Sequence, residues 1–344
     1  MRDFIYSLMT DRRKGALFAP LKFILYLASL CYGAGISGRQ FFYRAGIFKT
    51  AKAPLKIISV GNLTLGGTGK TPFVITLAKI LKDDLGKETS VLIRGYGWDE
   101  QAMLKKNLSD IPILVGENRV RSAKRTIRLY GSEAAILDDG FQHWELQRDL
   151  DIVLVDSRNP FGNGRLFPRG ILREPKEAVR RSDIIVFTKT DKRLFEPEAM
   201  KGSFREIKSS LIFLEAMHKP KCLCDEKARM RDFAALRGKR VALLSSIGDP
   251  AYFEEMALGL GVKVACHIAF GDHHNYTEAD VVRIMKALSE RSFDFILTTE
   301  KDAVKLDRMN LAFGKYVLMT LVVEMEITEG KELLIDRLHS LFIR

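Results

Sequence analysis

The sequence predicts an α/β fold: a doubly wound parallel sheet, a second and smaller α/β domain, and an amphipathic helix at the amino terminus. Alternation of short apolar runs with helical stretches is typical of parallel sheets whose strands are joined by helical crossovers. A glycine-rich turn follows the first run directly, as in nucleotide-binding sheets. The runs lie at 55–60, 89–93, 134–138, 151–155 and 183–188.

The length and composition of the chain predict more than one folded unit. Its 344 residues exceed what one hydrophobic core usually fills, and the 47% share of hydrophobic residues excludes a disordered chain. A second strand–helix pattern starts at VALLSSIG, after the polar stretch KPKCLCDEKARMRD. We therefore expect an amino-terminal helical region packed on the core, a core domain, a smaller α/β domain and a returning strand and helix, at 1–50, 51–228, 229–322 and 323–344.

The charge of the chain predicts an anionic partner. The formal net charge is +12, and residues 1–52 alone contain nine basic and two acidic residues. The four cysteines are too few for a disulfide scaffold and indicate a reducing compartment. A nucleic-acid partner ranks low, because the basic excess accompanies an apolar segment instead of an isolated polar groove.

The amino-terminal segment combines apolar and basic residues. Residues 15–36 are mostly apolar, but the longest uncharged run, Phe23–Gly38, has only 16 residues, whereas a membrane-spanning helix needs about 20. The pattern favours a basic, aromatic-rich amphipathic helix or helix pair in a membrane interface, facing anionic headgroups. The alternative is a buried core helix with a solvated basic face.

The sequence SVGNLTLGGTGKTP is a glycine loop between a strand and a helix, and it resembles the Walker A P-loop. In such a loop, backbone N–H groups and the helix N-terminus hold nucleotide phosphates. Lys70 is the expected phosphate-binding lysine, and Thr71 offers its hydroxyl to Mg²⁺. Thr64 stands where the usual pattern has its first glycine. The predicted phosphate contacts are Gly66, Gly67, Thr68, Gly69, Lys70 and Thr71, within a P-loop NTPase-like sheet.

A second apolar run ends in the carboxylates Asp138 and Asp139, as a Walker B strand does. Two adjacent carboxylates cannot both lie in an apolar core, so at least one of them faces a cation or solvent. Either could reach Mg²⁺, directly or through water. A surface turn is the alternative.

The segment IIVFTKTDK, Ile184–Lys192, resembles the base-reading motif of P-loop GTPases. This places Asp191 near a guanine edge and keeps GTP under consideration. It also supports the rival hypothesis of a membrane-associated P-loop GTPase or ATPase switch without a lipid product. Against that rival, the sequence has no evident switch loop with a DxxG turn, and the segments FGNGR and DHH would have no role in it.

Several other polar residues stand in suggestive contexts. Arginines grip phosphate groups through paired N–H donors, although most arginines are only solvated surface charges. Tyr96 and His143 could contact a sugar, or FQHW could pack under the sheet. The candidate arginines are Arg94 in RGYG, Arg119 in VGENR and Arg173 in GILREP, with Arg165 close to the last.

Adjacent histidines occur in GDHHNY, where Asp272 could orient the ring of His273 or of its neighbour His274. A catalytic histidine is favoured over a zinc ligand, because no other cluster supplies the remaining ligands. A loop histidine bonded only to backbone is the third possibility.

The ordered set of SVGNLTLGGTGKTP, RGYG, ILDDGFQH, FGNGRLFPRGILREP and FGDHHNY resembles the tetraacyldisaccharide 4′-kinases of lipid A biosynthesis. The resemblance covers nearly the whole chain and includes the threonine variant of Walker A. It implies an ATP- and Mg²⁺-dependent kinase that phosphorylates the 4′-hydroxyl of a tetraacylated glucosamine disaccharide 1-phosphate. It also implies a peripheral or monotopic position on the cytoplasmic face of the inner membrane, with no obligate protein partner.

The same resemblance points to Asp99 as the group that takes the hydroxyl proton, together with His273 and beside Glu100. Asp99 follows RGYGW directly, whereas the related kinases carry a longer insert there. If Asp99 is instead a surface acid, Asp138 or Asp139 is the alternative base. The expected catalytic set is Asp99, His273, Lys70 and Asp139, with Arg94, Tyr96, Glu100, Arg119, His143 and Arg173 on the substrate and Thr71, Asp138 and Asp139 on the metal.

Overall fold

The computed structural model describes residues 2–13, 15–95, 97–191, 196–308, 313 and 316–343. Its helices are α1 Arg2–Met9, α2 Ala19–Arg44, α3 Lys70–Lys79, α4 Trp98–Asn107, α5 Arg119–Tyr130, α6 Pro197–Arg205, α7 Pro250–Gly259, α8 Glu278–Ser289, α9 Glu300–Arg308 and α10 Lys331–Ser340. Its strands are β1 Lys56–Asn62, β2 Thr89–Ile93, β3 Ile113–Val115, β4 Ala134–Asp138, β5 Leu150–Asp156, β6 Ile184–Thr188, β7 Ile212–Asp225, β8 Met230–Arg231, β9 Arg240–Ser245, β10 Lys263–Ala269, β11 Phe295–Thr299 and β12 Leu318–Glu329.

The chain forms two compact units. The first contains residues 1–95, 108–217 and 325–344, and the second contains 96–107 and 218–324. The boundary predicted from the sequence between the core and the smaller domain lies at 228/229, with residues 96–107 in the core domain. The difference arises because α4 packs on α9 and because β7 continues past residue 217 into the second unit.

The first unit is a parallel sheet in the strand order β7-β6-β5-β1-β4-β2-β3. Residues 57–62 of β1 are all buried, and so are all five of β4, as expected for strands covered on both faces. Apolar clusters fill the sheet faces, one around Ile57 and Leu92 and another around Phe141 and Phe187. The carboxyl ends of β1 and β4 are adjacent, because Val60 pairs with Asp138. The glycine loop after β1 therefore lies beside the carboxylates after β4.

The amino-terminal segment of this unit forms a helix pair, α1 and α2. Asp11, between the two helices, accepts hydrogen bonds from Lys22, Arg169 and Asn163. Gln40 near the end of α2 donates to Glu174 at 2.7 Å. In α2 only Ser29 is buried, and Phe23, Ile24 and Phe41 are each about 60% exposed. By length and composition alone, residues 16–44 are long and apolar enough to cross a membrane.

The second unit is built on parallel strands in the order β10-β9-β11-β12. One apolar cluster contains Leu243, Phe253 and Leu297, and another contains Ile284 and Leu306. Helix α8 begins with a capping box, in which Thr277 and Asp280 bond each other's backbone N–H. The loop before that cap carries the adjacent histidines. This unit positions α4, α9 and the histidine loop against one another.

Candidate active site

The glycine loop is held in shape by the buried side chain of Asn62 at the end of β1. Its amide nitrogen donates to the Thr64 carbonyl at 2.8 Å and to the Thr68 hydroxyl at 3.1 Å, and its amide oxygen accepts from Lys70 Nζ at 3.3 Å. Gly69 precedes α3 in the left-handed region, with φ 83°, where glycine is unstrained. Asn62 thus joins both ends of the loop. Asn62 is not among the residues predicted from the sequence, although it lies inside the GNLTLGGTGKT motif.

Gly61, one residue earlier, allows a close approach between β1 and the chain after the two aspartates. A Cβ at Gly61 would lie 2.5 Å from Phe141 Cβ and 2.8 Å from Phe141 N. The neighbouring contacts are of the same kind, since Gly140 N donates to Val60 O at 3.0 Å. The absence of a side chain at Gly61 therefore lets the residues after Asp139 pass directly beside β1.

Lys70, Asp139 and Arg173 form one charged cluster. Arg173 Nη1 donates to both Asp139 carboxylate oxygens, at 2.8 and 2.9 Å, and Lys70 Nζ lies 3.5 Å from Asp139 Oδ1. Burial acts to raise the pKa of Asp139, but Lys70 and Arg173 outweigh it and lower that pKa to about 2. Asp139 is thus an anion at neutral pH. Its side chain remains 44% exposed.

The position of Arg173 follows from a short pairing between its segment and the glycine loop. Arg173 N donates to Leu63 O, and Leu65 N donates to Ile171 O, both at 2.7 Å. On the other side of the chain, the hydroxyl of Tyr32 in α2 donates to Arg173 O at 3.1 Å. The segment GILREP therefore lies between the glycine loop and the apolar amino-terminal helix.

Asp138 and Arg119 lie deeper than Asp139. Asp138 ends β4 and is 6% exposed, and Arg119 at the start of α5 is 3% exposed. Arg119 Nη2 donates to the Asp138 carbonyl at 3.1 Å, while its buried Nε has no hydrogen-bond partner among the described residues. Burial lowers the pKa of Arg119, with the Arg94 charge acting in the same direction. Asp139, the more exposed carboxylate, is the better placed of the two for a cation.

His143 and Arg94 also belong to the first unit. Burial and the nearby Arg119 charge lower the pKa of His143 to about 4, so its ring is neutral at pH 7. Its buried Nε2 has no hydrogen-bond partner in the described part of the chain. Arg94 is exposed immediately after β2. Tyr96 lies outside the described residues.

Asp99 and His273 meet within the second unit. Asp99 is 3% exposed, and its Oδ2 lies 3.5 Å from His273 Nδ1. Glu100 lies 3.7 Å from His273 Nε2. His274 instead bonds Asp280 at 2.9 Å and stacks on Phe270. Of the two adjacent histidines, His273 is the one beside Asp99.

Two lysines of α9, Lys301 and Lys305, also face Asp99, with Nζ atoms 3.7 and 3.3 Å from Asp99 Oδ2. Burial acts to raise the pKa of Asp99, but His273 and both lysines reverse the effect and hold that pKa well below its usual range. Neither lysine is among the residues predicted from the sequence. A signal was present in TTEKDAVK, because residues four apart on a helix share a face.

The TKTD motif follows β6, and its lysine is not exposed to solvent. Lys189 is 2% exposed, has φ 61° and is ion-paired with Asp156. Thr190 donates to Ala216 O at 3.3 Å. Lys189 is therefore buried at the carboxyl end of β6. Nothing in these contacts favours guanine.

The charged groups of the first unit fit a divalent cation with oxygen ligands. The carboxylates of Asp138 and Asp139 and the hydroxyl of Thr71 are hard donors of the kind Mg²⁺ prefers. Asp139 is ionised, partly exposed and close to Lys70. In the described part of the chain, no group of three or more His, Cys, Asp or Glu has the geometry of a metal site, so protein carboxylates alone do not enclose a metal here.

Comparison with known proteins places this geometry in a family. The family model for tetraacyldisaccharide-1-P 4′-kinase, LpxK, matches residues 21–101 and 98–341. The two matched segments overlap at 98–101. Together they span almost all of the chain.

Curated relatives agree over most of their length. The tetraacyldisaccharide 4′-kinase of Syntrophus aciditrophicus is 37% identical over 323 residues, which cover 85% of this chain and 86% of the relative. The enzyme of the same name from Anaeromyxobacter dehalogenans (strain 2CP-C) is 35% identical and covers 94% and 91%. The one from Geobacter metallireducens is 33% identical and covers 94% and 98%.

A solved structure supports the same assignment. The crystal structure of the “apo” form of LpxK from Aquifex aeolicus in complex with ATP has a TM-score of 0.72 and 28% identity. It matches 94% of this chain and 100% of that one. These matches confirm the fold class and the family resemblance, and the chain belongs to the tetraacyldisaccharide-1-P 4′-kinase family.

Proposed function

We propose that this protein transfers the γ-phosphoryl group of ATP to the 4′-hydroxyl of a tetraacylated glucosamine disaccharide 1-phosphate. Family membership and the ATP complex of the Aquifex aeolicus relative support the reaction and the nucleotide. The observation that carries the proposal is the cluster of Lys70, Asp139 and Arg173 beside a glycine loop at a helix N-terminus. Such a cluster suits triphosphate binding. The switch hypothesis gains no support from the contacts of Lys189.

The phosphate-binding groups are the backbone from Gly66 to Thr71 and the side chain of Lys70. Phosphoryl transfer depends mainly on positioning and on neutralising charge. Lys70 supplies one positive charge and Arg173 a second, and the backbone of Arg173 is anchored beside the glycine loop by its hydrogen bond to Leu63. Arg173 therefore acts on the transferring phosphate or on an anionic group of the acceptor.

The carboxylates after β4 and Thr71 would hold Mg²⁺ at the phosphates. When bound, this ion would neutralise negative charge on the β- and γ-phosphates. The exposed Asp139 would be its nearer carboxylate, and Asp138 would act through water or support the strand end. Asp139 needs no deprotonation for this role, because Lys70 and Arg173 already keep it ionised.

Asp99 and His273 handle the proton of the acceptor hydroxyl. A sugar hydroxyl is a weak nucleophile, so a positioned base helps as the new O–P bond forms. An ionised carboxylate 3.5 Å from an imidazole nitrogen can orient that ring and stabilise the positive charge that a proton brings. Glu100, at the rim of this pair, would contact the acceptor.

The remaining substrate contacts are Arg94, Arg119, His143 and Tyr96. Arg119 and His143 each bury a nitrogen without a hydrogen-bond partner among the described residues. A neutral His143 can accept a hydrogen bond from, or donate one to, a sugar hydroxyl. Arg94 suits the 1-phosphate, because it is exposed at a strand end.

The helix α2 would lie in the membrane interface, on the cytoplasmic face of the inner membrane. Its exposed apolar side chains and the basic residues around it support this position. The acceptor is itself an anionic lipid, so the helix and the substrate would occupy the same surface. The acylated acceptor and the membrane are the partners we propose.

The test is acceptor-dependent consumption of ATP. Purified protein, [γ-³²P]ATP and Mg²⁺ are incubated in detergent micelles with and without the acylated disaccharide 1-phosphate. We expect label in the lipid only when the acceptor is present, and loss of that label in Lys70→Ala. Equal nucleotide consumption without acceptor, or a preference for GTP, would contradict the proposal.

A further inference from the structure

The ionised state of the buried Asp99 carboxylate requires a source of positive charge within the protein. Its carboxylate is almost fully buried, and burial favours the neutral acid, which can neither accept a proton nor stabilise a charged histidine. Its Oδ1 accepts a hydrogen bond from Glu100 N at 3.0 Å. Its Oδ2 is buried and has no bond of good hydrogen-bond geometry among the described residues. Nearby charges must therefore keep this oxygen ionised.

The charged groups around Asp99 come from three elements. The histidine loop supplies His273 and Asp272, and α4 itself supplies Glu100. Helix α9 supplies Lys301, Lys305 and Asp302. Glu100 and Asp272 compete with Asp99 for the charge of Lys301, and Asp302 competes with it for the charge of Lys305.

Lys301 divides its charge among the carboxylates of Asp272, Asp99 and Glu100. Its Nζ lies 3.4 Å from Asp272 and 3.7 Å from both Asp99 and Glu100, and its side chain is 17% exposed. A partly solvated lysine with three acidic neighbours neutralises each of them only in part. Lys301 thus lowers the pKa of Asp99 together with Lys305, but its charge is not directed at Asp99 alone.

Lys305 is held differently. Its side chain is 2% exposed, and its Nζ lies 2.7 Å from Ser246 Oγ, 3.6 Å from Asp302 Oδ1 and 3.3 Å from Asp99 Oδ2. Asp302 is itself fully buried. The carboxylate of Asp302 is bonded by Ser246 Oγ, by Ser246 N at 2.9 Å, by Tyr276 at 3.1 Å and by Thr299 at 2.7 Å. Lys305 is thus held in place by a hydrogen-bonded polar network and shares its charge between Asp302 and Asp99, of which Asp99 has the nearer carboxylate oxygen.

We propose that Lys305 is a positioning residue for phosphoryl transfer: held by Ser246 and Asp302, it fixes the Asp99 carboxylate next to His273 and keeps it ionised. The proposal rests on the proposed role of the Asp99–His273 pair. It explains why a lysine far from the phosphate-binding loop in sequence is buried in this unit. It holds whichever member of the pair takes the hydroxyl proton, because both roles need an ionised Asp99.

The decisive variant is Lys305→Met, which keeps the length of the side chain and removes its charge. Without that charge, burial acts on Asp99 against fewer opposing cations. The acid limb of the kcat–pH profile should then move to higher pH by at least one unit, and kcat at a fixed pH on that limb should fall by up to about tenfold for each unit of the shift. The loss should disappear as the pH rises above the displaced limb, where Asp99 is ionised again, and Lys305→Arg should keep the limb near its original position.

The matched control is Lys201→Met. Lys201 is also buried, at 7% side-chain exposure, and pairs with the carboxylates Glu215 and Glu329 at 3.0 and 3.1 Å. It lies in the first unit, outside the groups assigned to chemistry. Its replacement should lower stability and leave the pH profile in place. An equal shift in Lys201→Met, or none in Lys305→Met, would overturn the proposal.

A readout without turnover separates this proposal from the kinase function. Carbon-13 NMR of the Asp99 carboxyl, assigned with Asp99→Asn, follows its ionisation directly. In the original protein, Asp99 should stay ionised over the whole pH range in which the protein is folded. In Lys305→Met, the titration midpoint of Asp99 should be raised. If Lys305→Met does not fold, Ser246→Ala, which removes the 2.7 Å contact, should shift the midpoint in the same direction by less. An unchanged midpoint in the folded variant would refute the role of Lys305 even if the kinase reaction is confirmed.

Discussion

Replacement of Arg173 is expected to reduce catalysis without a comparable loss of stability. Arg173→Ala removes the two contacts to Asp139 at 2.8 and 2.9 Å. The side chains of Arg173 and Asp139 are 24% and 44% exposed, and a pair this open stabilises a fold by about 1 kcal/mol or less. A donor aimed at charge that develops during the reaction contributes more, about 3 to 4 kcal/mol. The unfolding free energy should therefore change little, while kcat/KM falls by about 10² to 10³.

The two quantities come from urea denaturation and from initial rates in mixed micelles. Arg231→Ala is the control, since Arg231 also pairs with a carboxylate, Asp225, at 2.9 Å, and its loss changes the net charge equally. Arg231→Ala should lower the unfolding free energy by about as much as Arg173→Ala does, and it should leave kcat/KM within about threefold of the original value. A rate loss below tenfold in Arg173→Ala, or one explained by unfolded protein, would refute the reasoning.

Three further predictions concern the first unit. At pH values between the ordinary histidine pKa and about 4, His143 is protonated more readily in the unfolded chain than in the folded one, so the unfolding free energy should decrease as the pH is lowered through this range. His143→Gln should remove up to about 2 kcal/mol of the decrease between pH 7.5 and pH 5, measured in urea titrations. Gly61→Ala should cost about 1 to 3 kcal/mol and weaken ATP binding by calorimetry, because the new Cβ meets Phe141; unaltered binding would contradict this. Asn118→Ala removes the N-cap of α5 and should cost about 1 kcal/mol in the same denaturation assay, whereas Asn118→Asp should cost less.

The parallel sheet and the glycine loop were predictable because local patterns specify them. Buried parallel strands appear as short apolar runs, and the loop follows its strand by a fixed spacing. The pairing of Val60 with Asp138 then brings the Lys70 end of the loop and Asp139 to one edge. Carboxyl ends of parallel strands lie at one edge of the sheet by geometry, so the two motifs could be placed at the same edge before the strand order was known.

Contacts between distant segments were not predictable in this way. No local pattern indicates that residues 96–107 join the second unit, because that choice depends on the packing of α4 on α9. For the same reason the sequence did not reveal Lys305, which is separated from Asp99 by about two hundred residues and is fixed by Ser246 on another element. The helix α2 was predicted, but its 26-residue length exceeds the 16-residue uncharged run, because Arg39 and Arg44 continue the helix.

The proposed function requires that a phosphoryl group is transferred to the acceptor, and phosphorus-31 NMR of the lipid product tests this transfer most directly. With ATP and Mg²⁺, one new phosphomonoester should appear at the 4′-position of the distal sugar for each ADP formed, and Lys70→Ala should produce neither. Formation of ADP and inorganic phosphate with the acceptor unchanged would contradict the account.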